Sequence, residues 1–252
     1  MTITDSAKLA AAIQVSSLLR VCIPASGIDD DRCKILCHSL IINKTVTFLD
    51  LSHNKITSEG ARSVARLLAE ANGQLKNLIL TNNQLGPNAG MCLGKAMALN
   101  KSLKSINLRL NRLGEEGGIN LLSQLKNNHT LTEIDLSGTS LVSQCIPALA
   151  TLLKCNDSTL VSLDLSCNKL GNFVAPSSTE FAEHQEQTAS SIVVQAATAS
   201  PDLAGKAILE AISLNKVLKL TQYITKFDIR MTEISPEYHI AIQGIVSENG
   251  AC

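Results

Sequence analysis

Tryptophan is absent from the 252 residues, and two tyrosines with four phenylalanines supply all the aromatic mass. A chain that is 45% hydrophobic must then build its core from Leu, Ile, Val and Ala, which favours regular, repeated layers. Charge of one sign is missing as well. With 22 basic and 22 acidic side chains there is no net field to draw in phosphate backbones or anionic membranes, so neither nucleic acid nor membrane is expected as a partner. No run of 18 apolar residues occurs, and no membrane-spanning helix is expected. Paired CxxC units are lacking: Cys22, Cys33, Cys37, Cys92, Cys145, Cys155, Cys167 and Cys252 stand singly, which points to a reducing compartment rather than a disulfide-closed secreted scaffold.

What is present is a repeat. The segments VTFLDLSHNKI (46–56), LKNLILTNNQL (75–85), LKSINLRLNRL (103–113), LTEIDLSGTSL (131–141) and LVSLDLSCNKL (160–170) share the pattern LxxLxLxxNxL, and their starts lie 29, 28, 28 and 29 residues apart. One further step back gives LLRVCIPASGI (18–28), with Leu18, Val21, Ile23 and Ile28 at the apolar places and Ser26 at the Asn place. KLAAAIQVSSLLRVCIPASG has the outline of a weak secretory signal, but Gln14, Ser16, Ser17 and Arg20 interrupt it, and cleavage there would destroy a unit in register.

Alternating apolar residues in LxxLxL place one face of a short strand in a core, and the Asn side chain can bond backbone groups left open where the chain turns away. Asn54, Asn83, Asn111 and Asn168 are expected to form a ladder, with Thr139 as a weaker rung. Helical spacing follows in each unit: Leu36, Val64, Leu93, Leu121 and Leu149, then four residues on Leu40, Leu68, Met97, Leu125 and Leu153. Ile224, Phe227, Ile229, Thr232 and Ile234 fit the strand template again, with Ile242, Val246 and Asn249 at the helical places of a seventh unit. Units six and seven start 64 residues apart. Ile208, Ile212 and Asn215 resume the helix pattern late, which puts most of the excess in an Ala, Ser, Thr and Gln-rich stretch suited to a mobile loop or arm, either a tolerated insertion or a contact element.

Parallel strands alternating with helices at this period resemble the ribonuclease-inhibitor class of leucine-rich repeats. The resemblance implies an α/β fold, a horseshoe-shaped solenoid with parallel strands on the concave face and helices on the convex face. The expected organisation is an N-terminal helical cap over 1–17, repeats 1 to 6 over 18–171, the insertion over 172–203, and over 204–252 the helix completing repeat 6 followed by repeat 7. Asn249 marks where an eighth strand would begin, and no obvious cap follows, so an apolar edge covered by a partner is expected there.

Chemical motifs fare poorly. Four glycosylation-like sequons, at Asn43, Asn100, Asn128 and Asn156, fall on one repeat position, where an Asn at a helix end tolerates a left-handed conformation and the following Ser or Thr suits the turn. AGMCLGKA (89–96) resembles a damaged phosphate loop, but Ala89 and Ala96 stand where Gly and Ser or Thr are required, and Gly90 and Gly94 align with small positions expected where a helix approaches the sheet. Cys33, Cys37 and His38 lack a second ligand pair and read as buried thiols with a neighbour. His38, His53, His129, His184 and His239 are scattered, with no nucleophile constellation. No catalysis, cofactor or metal is expected.

Surface remains. The residues flanking the buried strand positions should face the concave side, where Phe48, Asp50, Asn107, Arg109, Glu133, Asp135, Asp164, Lys226, Asp228 and Arg230 are candidate partner contacts, along with the neighbouring Ser52 and Ser137. If Asp135 lies on such a solvated face, Asp135→Ala should leave stability nearly unchanged.

The terminal unit is more particular. FDIRMTEISPEYHIAIQGIVSENG (227–250) resembles the last repeat of the dynein regulatory complex subunit 5 family, through Phe227, Asp228, Ile229, Arg230, Thr232, Glu233 and Glu237. That resemblance implies a non-enzymatic axonemal component, assembled with other dynein regulatory complex subunits in a hetero-oligomer on doublet microtubules of a cilium or flagellum. The alternative reading is a soluble intracellular regulator or adaptor of the GTPase-activating or ubiquitin-pathway type, although the repeat geometry singles out no arginine on the turns.

Overall fold

A computed structural model of the chain describes residues 2–70, 74–155, 159–171, 203–217 and 224–250. Three-residue strands recur at the template positions: β1 (Arg20–Cys22), β2 (Phe48–Asp50), β3 (Asn77–Ile79), β4 (Ser105–Asn107), β5 (Glu133–Asp135), β6 (Ser162–Asp164) and β7 (Lys226–Asp228). Helices lie between them and at both ends: α1 (Ile3–Val15), α2 (Asp30–Ile42), α3 (Ser58–Glu70), α4 (Pro87–Leu99), α5 (Gly114–Leu125), α6 (Ile146–Lys154, entered by a 3₁₀ turn at Ser143–Cys145), α7 (Leu203–Val217) and α8 (Pro236–Gly250). The strands form one parallel sheet in chain order, with Val21, Leu49, Leu78, Ile106, Ile134, Leu163 and Phe227 directly in register. The expected arm at 172–203 falls outside the described residues apart from Leu203, which opens α7.

The apolar template explains the core. In repeat 4, Leu103, Ile106, Leu108 and Leu113 from the strand half meet Leu121 and Leu125 from α5, and all are buried. Each central strand residue points inward and its two neighbours point away, as the two-residue period of a strand requires. Leu18 departs from the template: it is 52% exposed, although Val21 and Ile28 of the same unit are buried. The signal-like stretch is part of the fold, since it forms α1 and β1, and Ala10 and Ile13 of α1 are buried beside α2.

The expected ladder exists at the strand exits. Asn111 Nδ2 donates to Leu80 O and Leu108 O, and its Oδ1 accepts from Asn83 N and Leu85 N, so one side chain ties two turns. Asn54 and Asn168 make the same two-way connection. The Thr139 hydroxyl makes the local bond to Leu136 O, without the reach to a neighbouring turn that the Asn side chains have. The residue before each Asn place is left-handed, at Ala25, His53, Asn82, Leu110, Gly138, Cys167 and Met231, which turns the chain so that the next side chain enters the core.

A second ladder occupies the sequon positions and corrects the reading of their backbone. Asn43 and Asn100 are extended (φ −63° and −73°), not left-handed. They matter through their side chains. Asn43 Nδ2 donates to Ile13 O and Ser16 O, Asn100 Nδ2 to Leu68 O, and Asn128 Nδ2 to Met97 O, each reaching the helix end of the preceding unit. Their Oδ1 atoms accept the N–H groups that open the next strand, at Val46, Leu103 and Leu131. All three are buried, and a buried amide already donating to backbone cannot carry a glycan. Asn156 lies outside the described residues.

Gly90 and Gly94 also change meaning. A Cβ at Gly90 would sit 2.4 Å from Gly117 O, and one at Gly94 would sit 3.1 Å from Leu121 Cα, so these glycines let α4 approach the backbone of α5 rather than the sheet.

Candidate protein-binding surface

Strand register sorts the candidate residues into rows. Phe48, Glu133 and Lys226 occupy the first strand position, and Asp50, Asn107, Asp135, Asp164 and Asp228 the third, with Asp135, Asp164 and Asp228 on adjacent strands. Arg109 and Arg230 lie two residues further on. All ten share the helix-free face. Glu133, Lys226, Arg109 and Arg230 are exposed and the others half-buried, while Phe48 is covered by the Arg20 guanidinium, 3.6 Å from the ring centroid.

Recurrence of Asp in the third position has a local cause. Asp50 Oδ1 accepts Ser52 N, Asp135 Oδ1 accepts Ser137 N, Asp164 Oδ1 accepts Ser166 N, and Asp228 Oδ1 accepts Arg230 N, each at 2.9 Å. Asn107 does the same for Arg109 N. These side chains support the strand exit. They also link strands: Thr81 Oγ1 donates to Asn107 Oδ1, and Asn107 Nδ2 donates to Asp135 Oδ2 at 2.9 Å. Ser52 and Ser137 were expected on the open face and are instead buried, drawn under the turn by the same bonds, with Ser137 Oγ also donating to Asp135. Asp135 is therefore a connector, and the expectation of a near-neutral Asp135→Ala does not stand.

At the β7 end, Arg230 clasps Asp228 through Nε and Nη2. This contact, above all the side-chain hydrogen bonding, holds the Asp228 carboxyl below its ordinary value. Beside the pair is an open hollow of ≈ 500 Å³, lined on the sheet side by Asp164 and Lys226 and on the helix side by His239, Gln243 and Ser247 of α8. The sequence reading missed these helix residues. The available signal was alignment: His239 stands where Cys33, Ala61, Gly90 and Gly118 stand, and Gln243 where Cys37, Ala65, Gly94 and Leu122 stand. The expected apolar edge on this helix is accordingly polar at both places, and Asn249 lies within α8 rather than at a strand entrance.

Away from this face, Cys33 and Cys37 are buried with their sulfurs 3.9 Å apart, and Cys33 Sγ donates to Gly60 O. The Cys33 thiol contact and burial push the Cys37 thiol well up. Among the described residues, no group of three or more His, Cys, Asp or Glu side chains forms a metal-holding cluster, and no helix is long and apolar enough to cross a membrane.

A Leucine Rich repeat family model matches residues 43–65, 99–122 and 156–172. These are leucine-rich repeats. The chain is 41% identical over 68 residues to dynein regulatory complex subunit 5 of Macaca fascicularis, covering 27% of this chain and 14% of that protein. It is 40% identical over 60 residues to leucine-rich repeat-containing protein 45 of Gallus gallus, covering 24% of this chain and 9% of that protein. The matched region thus spans less than a sixth of either relative's length. Among solved structures, leiomodin-1 actin-binding site 2 aligns with 60% of this chain and 87% of that one, at a TM-score of 0.50 and 16% identity, a likeness of leucine-rich-repeat fold alone.

Proposed function

We propose that this leucine-rich-repeat chain is a non-enzymatic interaction protein of the axonemal nexin-dynein regulatory complex, where it helps regulate ciliary or flagellar motility. Similarity to dynein regulatory complex subunit 5 carries this reading, and the open sheet face supplies a surface suited to it. Side chains spread along successive parallel strands offer breadth for a protein partner rather than a catalytic pocket. Phe48, Asp50, Asn107, Arg109, Glu133, Asp135, Asp164, Lys226, Asp228 and Arg230 are the proposed contacts, with other subunits of the complex on doublet microtubules as partners.

Detergent extraction of ciliated cells tests the assignment. The protein should stay with the axonemal fraction; release into the soluble fraction, with equal abundance in cells lacking cilia, would sink it. Glu133→Arg with Lys226→Glu tests the face. Both side chains are exposed, so co-purification of partners should fall while the thermal midpoint stays unchanged. The comparable similarity to leucine-rich repeat-containing protein 45 supports a second reading, an adaptor outside that complex, to which the soluble outcome would point.

A further inference from the structure

Two backbone donors in each of repeats 1 to 6 serve the next strand. The first runs from Ile23, Leu51, Leu80, Leu108, Leu136 and Leu165 N–H to the following repeat, at 2.7–2.9 Å. The second, two residues later, begins with Ala25 N to Ser52 O and ends with Cys167 N to Arg230 O, at 2.8–3.0 Å. In repeat 7 the equivalent groups, Ile229 N–H and Met231 N–H, have no acceptor among the described residues. The nearby Phe227 carbonyl is held by Gln243 Nε2 at 2.7 Å.

The helix layer at this end discriminates between possible occupants. Cys33, Gly90, Gly94 and Gly118 meet the next repeat at close range because they are small. His239 and Gln243 replace such residues on α8, so a stacked repeat, including one from a second copy, would have to bury an imidazole and a carboxamide. A lone strand avoids that cost. It would also lie along the ≈ 500 Å³ hollow, into which no whole helix needs to fit.

We propose that the edge of β7, unpaired among the described residues, binds an extended segment of a partner protein as an eighth parallel strand. Its backbone carbonyls accept Ile229 N–H and Met231 N–H, completing a pattern the chain satisfies six times internally. One of its N–H groups displaces Gln243 from the Phe227 carbonyl. A neutral polar side chain of the segment, an amide or hydroxyl, enters the hollow. Neutrality follows from the lining, where Asp164 and Asp228 are balanced by Lys226 and Arg230. This edge site shares Asp164, Lys226, Asp228 and Arg230 with the proposed contacts on the open sheet face, but its backbone pairing stands or falls independently of the axonemal reading.

Amide hydrogen exchange on the full chain provides the test, with a capped synthetic peptide of residues 131–141, LTEIDLSGTSL, as the strand probe. At about 1 mM peptide, exchange at Ile229 and Met231 should slow about tenfold or more. Gln243→Ala, which frees the Phe227 carbonyl, should tighten peptide binding several-fold. Unchanged exchange at both amides would overturn the proposal, as would full protection of both before peptide is added. A concentration-dependent dimer in sedimentation, protecting the same amides without peptide, would assign the edge to a second copy instead.

Discussion

In repeat 4, Asn111 bonds the backbone of its own turn and of the turn before it, Asn107 donates to Asp135 of repeat 5, and Gly117 lies under the backbone of α4. Repeat 7 follows the same strand template with other partners. Thr232, at the Asn place, donates to Ile229 O three residues earlier; Asp228 is clasped by Arg230 two residues later; and a Cβ at Gly244 would meet nothing within 4 Å. The central unit spends its polar and small residues on its neighbours, and the last unit largely on itself. In a solenoid, where each unit is stabilised by nearest-neighbour contacts, mutational cost should follow that division.

The sharpest break is at the asparagine place. Asn111→Ala would leave two buried carbonyls and two buried N–H groups without their partner, at a cost of roughly 3–4 kcal/mol, while Thr232→Ala should cost about 1 kcal/mol. Chemical denaturation of the two variants measures the difference directly; equal losses would erase the distinction between the units. Next comes the helix junction. Gly90→Ala forces a methyl against Gly117 O, with no flexible side chain to give way, and should lower stability by about 3 kcal/mol.

The period of 28 to 29 residues was legible because a three-residue strand and a helical stripe each demand apolar groups at fixed places. Exchange of Leu for another aliphatic residue at such a place keeps the demand satisfied, as the buried Ile106 and Val64 do. Placement of the ten candidate residues on one face followed from the alternation. What could not be read was the partner of each polar group. Asp135 and Asn107 meet because strands pair in register, and Asn128 reaches Met97 O because one unit stacks on another. Neither contact has a local sequence signature. Burial of Ser137 has the same origin, since alternation points it outward and the Asp135 carboxylate pulls it beneath the turn.

Smaller effects refine the contrast. Asp135→Ala removes the acceptor of Ser137 N, Ser137 Oγ and Asn107 Nδ2 and should cost about 1–2 kcal/mol, with hydrogen exchange increasing in both β4 and β5. Exchange confined to β5 would show that the inter-strand bond contributes nothing. Gly244→Ala should act in the opposite direction. With open space around it and a helical backbone, it should stabilise by about 0.5–1 kcal/mol through helix propensity, and the thermal midpoint should rise.

The smallest expected effect belongs to the self-contained pair of repeat 7. Hydrogen bonds from Arg230 lower the folded-state value of the Asp228 carboxyl, so the pair adds stability that is fully present above the unfolded carboxylate range, about pH 4, and is lost as pH falls through the lowered folded value. Arg230→Ala removes the main cause of the shift. The wild-type thermal midpoint should therefore fall more steeply than the variant's as pH drops below about 4, with the two curves running parallel at neutral pH. Because Arg230 is exposed, high salt should shrink the difference. An acid limb equally steep in both proteins would mean that Asp228 draws its support from the sheet, as Asp135 does, and that the last repeat is less self-contained than its contacts indicate.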